Sequence, residues 1–244
     1  MTDGERWRNP FDLMICDTDA LIQIFCANQE TILKKLRSQY GIRSAVTEAV
    51  EVEILRPGRK LGTCCQPGFR KALDTGLLTV LDRRTLGQFT TNDPHSTYDS
   101  IQLRGLRYNN FIDRGEAYSH AAAHVLRSAV LSNDWKAFIR ADAQGLETGK
   151  PTLRVYDLVV FLYQCGELSE KDCDGMRKSL YEAGDLPHEA FKGRKFTEGL
   201  PHFYPRLVST SHPIVGSVST TELGDDGRVE IRTVARPQNP SDTA

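Results

Sequence analysis

The sequence predicts an α/β sandwich with a mostly parallel sheet, on three observations. A short apolar run, Leu13-Met14-Ile15-Cys16, ends in the polar tip Asp17-Thr18-Asp19 and passes at once into Ala20-Leu21-Ile22-Gln23-Ile24-Phe25. A second run, Ala129-Val130-Leu131-Ser132, ends in the same manner with Asn133-Asp134. Stretches of helical spacing separate the strand candidates, and that alternation is what a parallel sheet covered by helices requires.

Leu13 to Cys16 reads as a buried strand because it is short, wholly apolar and closed by polar residues; Ala20 to Phe25 continues it as a helix. Ile32-Leu33-Lys34-Lys35-Leu36 has helical spacing. Gly41-Ile42 starts a short connection, and Thr47-Glu48 opens a helix over Ala49 to Leu55 that Pro57-Gly58 ends. After the turn residues Asp74-Thr75-Gly76, Leu77 to Leu81 reads as a strand. An insertion over 82–112 is long and polar, with a helix from Ser96 to Leu106. Asp113-Arg114-Gly115-Glu116 starts a helix through Ala117, Ala121 and Val125 that leads into the strand at Ala129. Trp135 to Ala141 reads as a helix and Val155 to Gln164 as a long amphipathic one. Ser169, as N-cap, with Asp172 at the capping-box position, starts a last helix that ends at Ala183-Gly184. The main folded domain is therefore expected over 10–187. The extension over 188–244 is partly irregular, with strand-like fragments at Phe203-Tyr204, Ile214-Val215 and Val229-Glu230-Ile231 and a disordered end.

With 244 residues, 39% of them apolar and 26% charged, the chain has enough material for a core and too balanced a composition for wholesale disorder. Lys and Arg number 31 against 32 Asp and Glu, so no global basic field holds nucleic acid and any grip on it must be local. The best apolar run, Val155 to Cys165, is interrupted by Asp157 and Gln164, which predicts no membrane span. Met1 to Pro10 lacks the apolar stretch of a signal peptide, so a cytoplasmic location is expected. The six cysteines, at 16, 26, 64, 65, 165 and 173, form no CxxC pair, a spacing that fits reduced thiols better than disulfides or zinc.

In open parallel sheets the C-terminal ends of the strands gather functional groups. Asp17 and Asp134 close two strands, and Glu116 begins the helix that leads into the second. Two carboxylates about 4 Å apart repel by roughly 4 kcal/mol at an effective dielectric near 20, so a cluster of them needs a cation or a proton. Oxygen-only ligands select Mg²⁺ or Mn²⁺, and that chemistry predicts hydrolysis of a nucleic-acid backbone.

Four pieces stand in order: Leu13-Met14-Ile15-Cys16-Asp17-Thr18-Asp19-Ala20-Leu21-Ile22, Val46-Thr47-Glu48-Ala49-Val50, Asp113-Arg114-Gly115-Glu116-Ala117, and Val130-Leu131-Ser132-Asn133-Asp134-Trp135-Lys136-Ala137. In these the chain resembles the PIN-domain nucleases, which include the VapC-type toxins of toxin–antitoxin pairs, over roughly residues 10 to 186. The resemblance implies a three-layer α/β/α sandwich and a metal-dependent endoribonuclease. It also implies a site assembled by Asp17, Glu48, Glu116 and Asp134. Asp17, Glu116 and Asp134 would bind Mg²⁺ or Mn²⁺, and Glu48 would orient the attacking water. An RNA substrate, an antitoxin or other regulatory protein, and a homodimer are the partners it implies. Asp19 departs from the Asn or Ser usual at its position and either adds a ligand or caps the helix. The insertion and the extension exceed what compact toxins carry.

Plainer readings stand beside these. Asp17 also suits an N-cap, and Asp113 with Glu116 has capping-box spacing. Glu48 competes with Glu51, about 60° away around the helix, and less with Glu53, about 140° away. His120 and His124 have i, i+4 spacing but lack the Glu of HExxH and any third soft ligand, so they read as packing or hydrogen-bonding residues. Arg104, Arg107, Arg114, Lys136 and Arg140 would hold phosphates or form a solvated surface, and Trp135 would stack on a base or pack. Rival functions are a catalytically weak scaffold that binds a protein or RNA, and a nuclease acting on structured DNA.

Overall fold

The central strand, β1 (Leu13–Cys16), is flanked in parallel by β2 (Arg43–Thr47) and β4 (Ala129–Leu131). β3 (Leu78–Leu81) lies outside β2 and β5 (Thr152–Leu153) outside β4, also in parallel, in the order β3-β2-β1-β4-β5. The computed structural model describes residues 11–56, 62–133, 152–182, 189–203, 205, 218–223 and 229–234. Strand alternation divides the core. Leu13 and Ile15 face one side with Ala45 and Val130, while Met14 and Cys16 face the other with Val46, Ala129 and Leu131. Both sides are dry, which is why β1 is continuously apolar.

Helices α1 (Thr18–Cys26), α2 (Thr31–Tyr40), α4 (Gly62–Asp74), α7 (Val155–Gln164) and α8 (Glu170–Glu182) cover the first side through residues such as Phe25, Leu36, Phe69, Phe161 and Leu180. Helices α5 (Pro94–Tyr108) and α6 (Arg114–Leu126) cover the other through Ile101, Tyr108, Tyr118 and Ala121. Helix α3 (Glu48–Leu55) serves both, with Ala49 in one core and Val50 and Ile54 in the other. The result is a three-layer α/β/α arrangement, as the sequence predicts. Right-handed crossovers force this division: the chain steps from β1 through β2 to β3 in one direction, then returns across the sheet to β4. The reversal puts a switch point between β1 and β4, at whose C-terminal tips Asp17 and Ser132 stand.

Several expectations are corrected here. The connection expected after Gly41 is strand β2, unread because Ser44, Ala45 and Thr47 are small or polar although all are buried. Helix α4, a segment for which the sequence reading names no element, runs through Pro67-Gly68. Gly68 lets α4 approach α1: a Cβ there would lie 2.9 Å from the Phe25 ring. The same packing brings Cys26 and Cys64 to a Cα separation of 5.3 Å in a disulfide, so these two cysteines are not the free thiols expected. Their sequence separation of 38 residues hid a proximity that only helix packing creates.

Helix α7 has the bounds expected, with Arg154 and the fully buried Asp157 joined at its first turn by a 2.8 Å ion pair. Ser169 and Asp172 exchange the two bonds of a capping box at the start of α8. The core continues past residue 187: short turns at Glu189–Phe191 and Leu200–His202 flank α9 (Phe196–Gly199), and Phe191, Phe196 and Phe203 join the first-side core. Farther on, β6 (Val218–Leu223) and β7 (Val229–Val234) pair as an antiparallel hairpin, extending the fragment expected at Val229. The helix expected over Trp135 to Ala141, the Ala183-Gly184 cap, and the fragments at Tyr204 and Ile214-Val215 lie outside the described residues. Among the described residues no helix is long and apolar enough to cross a membrane.

Candidate active site

Asp17 leaves β1 in extended conformation, with its N–H bonded to the Leu131 carbonyl at 2.9 Å, so the sheet itself fixes its backbone at the switch point. It occupies the N-cap position of α1, yet its side chain makes no capping hydrogen bond. The residue is only 2% exposed. Oδ2 receives the Ser132 hydroxyl at a long 3.5 Å, and Oδ1 is buried with no hydrogen-bond partner. Burial pushes the carboxyl up to about 7, the charges of Asp19 and Glu53 push the same way, and the nearby Thr18 N–H dipole and the Ser132 hydroxyl oppose them. A buried carboxylate so poorly satisfied requires a proton or a cation.

Glu53 is the carboxylate that sequence reasoning set aside. Its Oε2 accepts the Thr18 hydroxyl at 2.7 Å, and its Oε1 accepts the Gly115 N–H at 3.0 Å. The first turn of α6 thus gives Glu53 an otherwise unpaired backbone donor at the positive end of a helix. Gly115 permits this close approach: a Cβ would stand 2.7 Å from Glu53 Oε2 and 3.0 Å from Thr18 Oγ1, so the Glu53 carboxylate would have to shift. Through these contacts β1, α1, α3 and α6 converge.

Glu48 is engaged by the inserted helix. Its carboxylate accepts the Tyr98 hydroxyl of α5, in a group that includes Glu51 and Asp82. Burial raises the Glu51 carboxyl, and the charges of Glu48 and Asp82 add to that. Glu51, the substitute expected for Glu48, therefore belongs with it near the inserted helix. Arg83 secures that helix, lying 5.0 Å from the Tyr98 ring and pairing with Asp99 at 2.9 Å.

Glu116 is buried in the first turn of α6, one residue beyond the Gly115–Glu53 contact. Asp113 makes no side-chain cap bond, so the capping-box account of this pair lacks its Asp half. Asp19 is exposed on the first turn of α1 and acts on Asp17 through its charge. Asn133 ties the tip of β4 to Gln23 and, through Oδ1, to the Val155 N–H at 3.1 Å. Asp134, Trp135 and Lys136 lie outside the described residues, as does Arg140. Arg114 is exposed, its guanidinium 5.8 Å from the Tyr118 ring. His120 is 2% exposed, and burial pushes it down to about 4, as befits a neutral packing histidine.

Among the described residues no group of three or more His, Cys, Asp or Glu side chains is already gathered to hold a metal ion. Asp17, with its unpartnered oxygen, and the fixed Glu53 are nevertheless of the right type for a hard, oxygen-seeking cation. A groove of about 570 Å³ between α2 and α4, lined by Lys34, Arg37, Lys71 and Leu77 among others, contains none of these acids. No protein-family model and no curated protein matches the chain.

Proposed function

We propose that this chain is a Mg²⁺- or Mn²⁺-dependent endoribonuclease, related in arrangement to the PIN-like nucleases and their toxin members. The observation that carries the reading is the buried carboxylate of Asp17 at the switch point, with Oδ1 unpartnered and the charges of Asp19 and Glu53 acting on it. A bound divalent ion would supply Lewis acidity toward the phosphodiester and toward water. Asp17, Asp19 and Glu116 would hold the ion, and Asp134 keeps the ligand role that the resemblance gives it. Glu53 takes over from Glu48 the task of orienting the attacking water, because Thr18 and Gly115 fix its carboxylate while leaving lone pairs to accept a proton. Ser132 steadies Asp17 from the neighbouring strand. A regulatory protein of antitoxin type would silence such a site by presenting a basic side chain to Asp17.

Mn²⁺-dependent cleavage of end-labelled single-stranded RNA tests the proposal, with matched single-stranded and flap DNA in parallel. Asp17→Asn and Glu53→Gln should each lower the rate by about 100-fold or more, whereas Glu48→Gln should retain most of it. Full activity of folded Asp17→Asn would overturn the reading, and cleavage confined to DNA would overturn the choice of RNA.

A further inference from the structure

We infer that the outer face of the α5–α6 corner, formed by Leu103, Leu106, Arg107, Phe111 and Arg114, is a track for single-stranded RNA that ends at the acidic site. The inference rests on the nuclease reading and adds to it the path by which substrate arrives. Helix α5 buries Ile101, Gly105 and Tyr108, and Gly105 sits so close to Tyr118 that a Cβ would lie 2.7 Å from its ring. That packing satisfies the apolar face the helix needs, yet Leu103 and Leu106 stand 70% and 59% exposed on other sides. Phe111, 48% exposed, follows in the turn that its N–H closes onto the Tyr108 carbonyl at 2.8 Å. Three large apolar side chains within nine residues of outer surface are more than isolated exposed leucines account for.

Charge identifies the occupant. The stretch from Leu103 to Arg114 carries Arg104, Arg107 and Arg114 against Asp113 alone, in a chain whose charges otherwise balance. Arg104 donates to the Tyr108 hydroxyl at 3.1 Å and Arg114 lies over Tyr118, so both are backed by aromatic rings. Among the described residues none of the three arginines has a carboxylate within ion-pair distance. Apolar groups interleaved with guanidinium groups suit a chain that offers flat stackable faces and anionic linkers together.

Position supplies the purpose. Arg114, the last residue of the strip, immediately precedes Gly115, whose N–H holds Glu53, so the strip adjoins the site along the chain. A pocket of carboxylates repels a polyanion, and cations at its border are what hold the strand there.

The test uses the full chain carrying Asp17→Asn, so that RNA is bound and not cut, and follows a labelled mixed-sequence single-stranded RNA by fluorescence anisotropy. Adding Phe111→Ala should weaken binding about tenfold. Adding Arg107→Glu should weaken it as much and reduce the magnitude of the salt slope by about one. Arg70→Glu, an exposed charge reversal on α4, should leave binding unchanged. If the Asp17→Asn chain binds RNA and the wild type cuts it, but Phe111→Ala and Arg107→Glu bind as tightly as their parent, the track is refuted and the nuclease stands. Neither binding nor cutting of RNA refutes both. If sedimentation shows that Phe111→Ala dissociates a dimer while RNA affinity is unchanged, the strip is an interface between copies and the inference falls.

Discussion

Replacing Asp17 by Asn should stabilise the metal-free protein at alkaline pH, and the site gives the size of the effect. The carboxyl ordinarily titrates near 3.8, and in the fold burial pushes it up to about 7. Because the folded value lies above the unfolded one, the folded chain holds an extra proton between those pH values. Stability is therefore fully present below about pH 4 and is lost as pH rises through 7. Each pH unit corresponds to about 1.4 kcal/mol, so the ionised carboxylate costs the fold about 4 kcal/mol above neutrality. Asn keeps the shape and removes the charge. In EDTA, the stability gain from Asp17→Asn should be small below pH 4 and approach about 4 kcal/mol at pH 8, or roughly 10 °C in Tm for a chain of this size. Urea denaturation of both proteins across this pH range measures it directly. Excess Mn²⁺ should raise the Tm of the wild type and not of the variant, since the ion then supplies the missing positive charge. A wild-type-to-variant difference that stays constant from pH 4 to pH 8 would refute the reasoning, as would a variant less stable than wild type at pH 8.

Gly115→Ala should displace Glu53, because the new methyl would stand 2.7 Å from its carboxylate. A stability loss of about 1–3 kcal/mol and a fall in cleavage rate of about 100-fold are expected in melting and kinetic assays, and unchanged kinetics would deny Glu53 its role. Non-reducing digestion and mass spectrometry should find Cys26 joined to Cys64. Cys64→Ser should lower stability by about 4 kcal/mol in urea, the chain-entropy value for a loop of 38 residues. Asp157→Ala removes the partner of the Arg154 guanidinium, which also lies 4.6 Å from the Phe203 ring. That should cost about 3–5 kcal/mol by equilibrium unfolding and leave the acidic site in place.

Elements with a full apolar signature were legible in the sequence, and those that owe their burial to neighbours were not. β1 announces itself by four apolar residues bounded by polar ones, and α7 by a long apolar stretch behind a charged first turn. β2 carries Ser44, Ala45 and Thr47, buried because it lies between β1 and β3 rather than because its side chains avoid water. β5 is two residues long, too short for any periodic pattern. α4 contains Pro67 in its second turn, where it costs a helical hydrogen bond, and beside it Gly68 gains contact with Phe25, a tertiary effect that local propensity does not contain. The Cys26–Cys64 pairing depends on that same contact, so it could not be read before α4 was placed.

That Glu53 meets Thr18 and Gly115 while Glu48 meets Tyr98 has a cause that was present in the sequence. On a helix of about 3.6 residues per turn, Glu53 projects about 40° from Ala49, 60° from Val50 and 100° from Ile54. Those three are the buried residues of α3, so Glu53 lies within its inward stripe. Glu48 lies about 100° to 160° from the same three and faces away from that stripe, where Tyr98 of the inserted helix meets it. Adjacency to Thr47 follows the chain, whereas the apolar residues that share a face follow the geometry. A carboxylate embedded among inward-facing apolar residues is expensive unless something polar receives it, and here Thr18 and the open N-terminus of α6 do. The cost of placing Glu53 there is met only where β1, α1 and α6 meet, and for that reason it shares its surroundings with Asp17.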